Sequence, residues 1–487
     1  MKQIKQNQFI IIVCFFIFCI NFSLIFNNNV WCDEAFIINA CRLDFRELLS
    51  YIATDDMRPP LYLITVKIWT AILGHEVWKF KLFSILPCIL TILIDGSIIK
   101  KNWGKKSFFI FALLVGLSPA SMTKNIEITI YSWTMFWVTT NILLAYEFYK
   151  NQSVKYRVLF IITGLGAAAT HYYALIVEIF IYTGLFIILL VKNPALKTIK
   201  NIIGISMITI VAYLPVLPFF IKQFMIARQS FWILETEISV FPNSMRMLFE
   251  GENKFTFSNE FSVFMWGIIF FLFYFICIEI FQNNHKLTED YIYLFSCFCI
   301  CLLLPISGYI ISLIIRPLYI SRYYFCVSGI LWIFISVSIS FLKKKDIYLG
   351  ISALITVMFI FNYPIIYERE YTTETQITID KIAPNLGDDD IFINNIETCA
   401  SWVLEYYFPQ HEYFLDNNQG VYYKDQDFDF TTLNQTAWYF CQGDFPLSEA
   451  ELNDLQIDLE YIGEGNFDNY YYVSIYKLTP QASVLYR

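Results

Sequence analysis

The chain has 487 residues, 57% of them apolar and 19% aromatic, with a mean hydropathy of +0.52 and a formal net charge of −8. Soluble domains are usually about 45–50% apolar, so this composition excludes an ordinary soluble protein and indicates many apolar spans. The charge is unevenly divided: residues 366–487 carry 22 acidic and 5 basic side chains, a net of −17, while residues 1–365 carry 20 and 29, a net of +9.

The sequence therefore divides into a basic membrane domain, 1–365, and an acidic soluble domain, 366–487. Neither carries the basic, aromatic-interleaved surface that nucleic acid requires, so nucleic acid is not an expected partner.

Met1-Lys2-Gln3-Ile4-Lys5 precedes an apolar run over 9–26. Asn27-Asn28-Asn29 follows it in place of a small-residue cleavage site, so the run reads as a retained first helix. Further apolar spans lie near 82–99, 107–123, 129–147, 157–169, 174–191, 201–221, 261–281, 291–315, 323–341 and 347–364, about eleven in all. The stretch 61–74 competes as a re-entrant or surface helix. In the tail, 390–394, 412–415, 436–440 and 470–478 read as strands and 448–455 as a helix. The expected fold is a membrane all-α domain followed by a small α/β domain.

Alternate short loops gather Lys100, Lys101, Lys105 and Lys106, then Lys150, Lys155 and Arg157, then Lys192, Lys197 and Lys200, then Lys286, and finally Lys343, Lys344 and Lys345. Dense basic clusters in short loops mark the cytoplasmic face. The plasma membrane is the expected location. Loop 27–81, the segment around Glu127, the turn at His171, loop 222–260, the segment at Arg316 and the tail then face outward.

The candidate chemistry lies on that outer face. Asp33-Glu34 follows the first helix, and a carboxylate there can take a proton from a nucleophile or hold a metal ion. Arg58 precedes Pro59-Pro60-Leu61-Tyr62, where the double proline stiffens the chain. Lys81 lies just before the second span, Glu127 and Tyr131 at the start of the fourth, and His171 and Tyr172 between two spans. Arg316, Arg322 and Tyr323 precede or open the tenth. One carboxylate pair with several cations at a membrane surface suits a reaction whose leaving group is a lipid phosphate. Each residue also has an ordinary role: the acid pair can cap a helix, Arg58 and Lys81 can snorkel, and His171 can pack in a helix break. Glu178 lies inside an apolar span, where an acid points to function. Cys297, Cys299 and Cys301 alternate within an apolar helix and read as core residues, not a metal cluster. Disulfides Cys32–Cys41 and Cys399–Cys441 are open pairings for the outer segments.

The order of these features resembles the membrane-embedded GT-C glycosyltransferases, in the bacterial branch related to protein O-mannosyltransferases and lipid A aminoarabinose transferases. That family shows an Asp-Glu pair in the first outer loop, a PPLY element and a Glu-x-x-x-x-Arg-Leu stretch. Here these are Asp33-Glu34, Pro59-Pro60-Leu61-Tyr62 and Glu76 to Leu82, with Lys81 in place of Arg. Ser118-Pro119 with Glu127 and Tyr131 resembles a further element that lacks its Arg here, Thr129 standing in that place. Thr170-His171-Tyr172-Tyr173-Ala174, Tyr213-Leu214-Pro215 with Gln223 and Phe231-Trp232-Ile233, and Arg316-Pro317 with Arg322-Tyr323 resemble the rest.

The resemblance covers about residues 8–341, and weakly the tail, and implies GT-C architecture with a polyprenyl-phosphate-linked sugar as donor; taken with the charges read above, it makes Asp33 the expected general base on an acceptor hydroxyl. It implies Glu34 as an orienting or metal-holding group and Lys81, Arg58 and Arg322 on the lipid phosphate. It leaves a divalent metal ion open as cofactor and the acceptor open among glycan, lipid and protein. A polysaccharide polymerase or ligase, or a lipid-linked sugar transporter, is the alternative. A transporter places charges near the bilayer midplane, often in repeated halves, and no repeat is visible here.

Overall fold

The computed structural model describes residues 2–229, 233, 235–250, 258–282, 289–342, 345–371, 374–395, 398–416, 428–443, 445–467 and 471–481. Phe231, Trp232, Lys286, Lys343, Lys344, Asn417 and the side chain of Cys399 lie outside the described residues. The chain forms two compact bodies, one of residues 1–26, 49–229 and 233–366, the other of residues 27–48 and 367–487. 

The first body is helical because hydrocarbon offers backbone amides no partner outside their own helix. Among the described residues, seven helices are long and apolar enough to cross a membrane, and an eighth span arises if Pro119–Ile126 and Tyr131–Asn151, bent by 115°, are taken together. The protein is a multi-pass membrane protein. The run Val77–Leu117 is two helices meeting at Gly104, whose φ of +90° and ψ of 179° no L side chain adopts readily. It therefore takes up two of the expected spans. The remaining two, at 9–26 and 157–169, are the helices Lys2–Phe22 and Val154–Ala168. Leu61–Leu73 is a shorter apolar helix.

Close packing shows where glycine is required. A Cβ on Gly308 would stand 2.4 Å from the Tyr319 ring. At one end of the body, the buried Glu147 carboxylate accepts from Lys101 at 2.9 Å, Asn102 at 2.7 Å and Asn151 at 3.2 Å. These bonds fasten the helix Tyr131–Asn151 to the Gly104 turn.

The second body holds a five-stranded sheet: β1 (Ile391–Asn394), β2 (Tyr413–Leu415), β3 (Ala437–Cys441), β4 (Ile457–Phe467) and β5 (Tyr471–Pro480). The order is β2-β1-β3-β5-β4, with β1 parallel to β2 and β3, and the other pairs antiparallel. The helix Thr398–Tyr407 is the crossover from β1 to β2. Ile391, Ile393, Tyr439 and Leu478 are buried in its core. Four strands fall where the sequence places them; β4 does not appear in that reading. It carries Asp458, Glu460 and Glu464, mostly exposed, and it shifts register between Tyr461 and Gly463. An irregular, charged edge strand lacks the apolar alternation by which strands are recognised.

Residues 27–48, from the first loop, also belong to this body. Their helix, Cys32–Arg42, carries Asp33 and Glu34 and is buried from Glu34 to Cys41. Cys32 is in a disulfide. Cys41 and Cys441 carry thiols, so neither of the two open pairings forms. Sequence separation alone does not report the Cβ geometry that a disulfide needs.

Gly104→Ala is expected to destabilise the protein by about 1–3 kcal/mol, because the new side chain must occupy a region of backbone space that is essentially glycine's. Thermal unfolding in detergent checks this; a substitution at Gly350, which has open space and ordinary backbone angles, serves as control.

Candidate functional site

The first body gathers several of the expected residues around His171. This residue is the N-cap of the helix Tyr172–Lys192, and its Nδ1 accepts the Tyr173 amide at 3.1 Å. Its ring lies 5.1 Å from that of Tyr323 and 6.1 Å from that of Tyr131. Tyr323 stacks on Tyr173 at 5.0 Å, and Tyr319 meets Tyr173 edge-on at 5.1 Å. Burial, and then the charges of Arg58 and Arg322, push the imidazole down from 6.5 to about 3. His171 is therefore neutral at ordinary pH, and both arginines act on it electrostatically.

Arg58 is fixed by a residue that sequence reasoning missed. Its Nε donates to Asp56 at 2.7 Å, and the Asp56 side chain is only 3% exposed. The Arg58 amide donates to the same carboxylate oxygen at 3.1 Å, closing an Asx turn ahead of the double proline. An acid two residues before Arg58 was the available signal. Buried Gln223 then ties three elements together. Its amide donates to the carbonyls of Ile52 at 2.6 Å and Arg58 at 3.0 Å, while its oxygen accepts from Tyr172. The Leu61 amide, in the PPLY element, donates to Ala169 at 3.0 Å. The Arg58 segment and the His171 turn are thus held side by side through backbone bonds.

Glu127 and Tyr131 meet through a second missed residue. Lys124 donates to Glu127 at 2.5 Å, with both side chains at most 3% exposed, and its ammonium stands 4.7 Å from the centre of the Tyr131 ring. The signal was a lysine inside an otherwise buried turn with an acid three residues on.

Arg316 lies on a separate contact, donating to Ala227 at 3.3 Å. Its neighbours are shaped by Ser312, whose hydroxyl accepts the amides of Leu318 at 3.1 Å and Tyr319 at 3.0 Å. Lys81 is buried on the helix Val77–Leu90. Glu178 is buried too, and neither carboxylate oxygen has a hydrogen-bond partner among the described residues.

In the second body, Asp33 is half-buried in the first turn of Cys32–Arg42. Glu34 is 3% exposed and accepts the Trp31 amide at 3.3 Å, so this carboxylate helps close the helix N-terminus. Among the described residues no cluster of three or more His, Cys, Asp or Glu is placed to hold a metal ion.

The fold is that of ArnT, a lipid A aminoarabinose transferase of the GT-C class. ArnT from Cupriavidus metallidurans in the apo state aligns over 97% of this chain and 98% of its own, with a TM-score of 0.59 and 13% identity. The same protein bound to undecaprenyl phosphate aligns over 96% and 98%, with a TM-score of 0.60 and 11% identity. No protein-family profile and no curated protein matches the chain. At such identity the likeness concerns the fold, which is the GT-C architecture that the motif order implied, with the small sheet domain that the strand pattern of the tail predicted.

The Lys124–Glu127 pair gives a direct test of packing. Removing one partner of a buried pair leaves a bare charge and costs about 3–5 kcal/mol, whereas replacing both by apolar groups is often neutral. Lys124→Met and Glu127→Leu are each expected to lower the unfolding temperature markedly, and the double variant to recover most of the loss. Thermal unfolding of the three variants in detergent checks this.

Proposed function

We propose that the protein is a membrane glycosyltransferase. It moves a sugar from a polyprenyl-phosphate donor to an acceptor hydroxyl at the outer face of the plasma membrane. The observation that carries this reading is the fold likeness, over nearly the whole chain, to a transferase with undecaprenyl phosphate bound. The His171 surroundings support it: a neutral imidazole flanked by two arginine charges and ringed by tyrosines suits the phosphodiester and sugar of such a donor better than a cation.

In the proposed reaction Asp33 takes the proton from the acceptor hydroxyl. The hydroxyl oxygen attacks the anomeric carbon, the carbon–oxygen bond to the phosphate breaks, and polyprenyl phosphate leaves. Arg58, Arg322 and Lys81 neutralise the departing phosphate. Asp56 holds Arg58 in place for that task. Glu34 steadies the turn that presents Asp33. His171, Tyr172, Tyr131, Glu127, Arg316 and Tyr323 complete or support the donor pocket. The hexosyl or pentosyl identity of the sugar is set by groups that contact its ring hydroxyls, for which Tyr131 and Tyr323 are candidates.

Asp33→Asn keeps the shape and removes the base, so transfer from a labelled polyprenyl-phosphate sugar is expected to fall about 10²–10⁴-fold. Arg322→Ala is expected to raise the donor KM. Normal transfer by a correctly inserted Asp33→Asn variant refutes the mechanism. Donor-dependent chain extension would instead indicate a polymerase, and donor translocation without transfer a transporter.

The proposed orientation has its own measurement. Cysteine introduced at exposed Asn28 is expected to react with a membrane-impermeant reagent in intact cells, and cysteine at exposed Lys105 to react only after permeabilisation. The reverse pattern inverts the orientation.

A further inference from the structure

The helix that carries the acid pair has only eleven residues and no side-chain cap at its Trp31 N-cap. A helix of that length is marginal unless other surfaces hold it. Within its own body, the C-terminal domain supplies one such surface, the crossover helix Thr398–Tyr407.

The contacts repeat along the acid helix. Phe36 meets Trp402 edge to face, with ring centroids 4.6 Å apart. One turn on, Asn39 Nδ2 donates to the Trp402 carbonyl at 3.0 Å and to Glu405 at 3.3 Å. At the end of the helix, Arg42 donates to the carbonyls of Glu405 at 3.4 Å and Tyr406 at 3.2 Å. Those are terminal carbonyls of the crossover helix, which have no partner within it. Arg42 also bonds Asn39 at 3.1 Å and lies 5.4 Å from the centre of the Tyr406 ring. Upstream, Tyr407 donates to the Asn28 carbonyl at 3.1 Å, and Asn29 donates to the Arg369 carbonyl at 3.4 Å. The disulfide at Cys32 fixes the residue next to Asp33.

The crossover helix is itself held firmly. The single Tyr413 hydroxyl proton, on β2, is shared between the Leu404 carbonyl at 2.9 Å and the carbonyl of Phe408, just past the helix, at 2.6 Å. Phe392 on β1 stacks on Phe408 and Tyr413, with centroids 5.3 Å away in each case. A rigid α/β unit thus grips residues 36, 39 and 42, and Asp33 lies one turn before the first of them.

We propose that the C-terminal domain is a positioning element, and that Trp402 and Arg42 set the place and direction of Asp33 through the acid helix. The functional half of this proposal rests on Asp33 acting as the base. A carboxylate must stand within hydrogen-bond reach of the proton it removes, so a loosened helix lowers turnover more than donor binding.

The test uses full-length protein in nanodiscs. Trp402→Ala and Arg42→Ala are compared with Trp402→Phe, Arg42→Lys and Asp33→Asn. Amide exchange across Glu34–Arg42 reports on the helix, with the amides of Tyr131–Asn151 as internal reference. In the alanine variants the acid helix is expected to exchange about tenfold faster or more, while the reference helix is unchanged. Their kcat is expected to fall about tenfold or more with donor KM within about twofold, and Trp402→Phe to restore kcat to within about threefold. Unchanged exchange in both alanine variants overturns the structural half. Faster exchange with normal kcat, when Asp33→Asn is inactive, overturns the positioning role. Normal transfer by Asp33→Asn removes the assignment of the base instead, and leaves exchange to decide the contact.

Discussion

The membrane body depends on how it accommodates charge inside an apolar bundle. Taking an ion out of water costs several kcal/mol, recovered only by close pairing and hydrogen bonds. Lys124–Glu127 and Asp56–Arg58 meet that condition at one end of the body, and Glu147 with Lys101, Asn102 and Asn151 meets it at the other. Such pairs contribute little net stability compared with apolar substitutes. They do fix geometry, because each carboxylate has one good place to stand. Arg58 is therefore held in one orientation, and Gln223 links its backbone to Tyr172, the residue after His171.

His171 shows how the same constraint sets chemistry. Two arginine charges act on a buried ring that is also a helix N-cap. Burial first, and then the two arginine charges, disfavour a protonated ring, so the imidazole stays neutral and offers its Nδ1 lone pair to the Tyr173 amide. The surrounding tyrosines seat tightly, and Gly308 leaves the room that Tyr319 needs. A neutral imidazole packed among aromatic rings, within the field of two arginines, results.

Much of this was legible in the sequence. The apolar runs marked the spans because hydrocarbon permits little else, and the order of the motifs among them carried the fold. His171, Arg58, Arg322, Tyr131 and Tyr323 were named from those motifs, and the first body brings them near one another. The partners were harder to read. Asp56 and Lys124 act through spacings of two and three residues, one in a loop and one in an eight-residue helix too short for periodicity to point to burial. Tyr173 and Tyr319 look like ordinary interfacial aromatics until their rings are placed. Strand β4 is concealed by its charges and its bulge. The disulfide at Cys32 was beyond reach because separation along the chain says nothing of Cβ geometry. Least legible was the grouping of residues 27–48 with a domain that begins more than three hundred residues later.

That grouping has a consequence for biosynthesis. Asn39 and the Trp402 carbonyl it bonds are 363 residues apart. At about 5–20 residues per second, a ribosome needs roughly 20–70 seconds to cover that distance. For that interval the Asp33 helix is already made and its supporting surface is not. The long-range closure falls late, after the membrane helices that lie between the two segments have been synthesised. A nascent or C-terminally truncated chain therefore has its spans but not a seated acid helix.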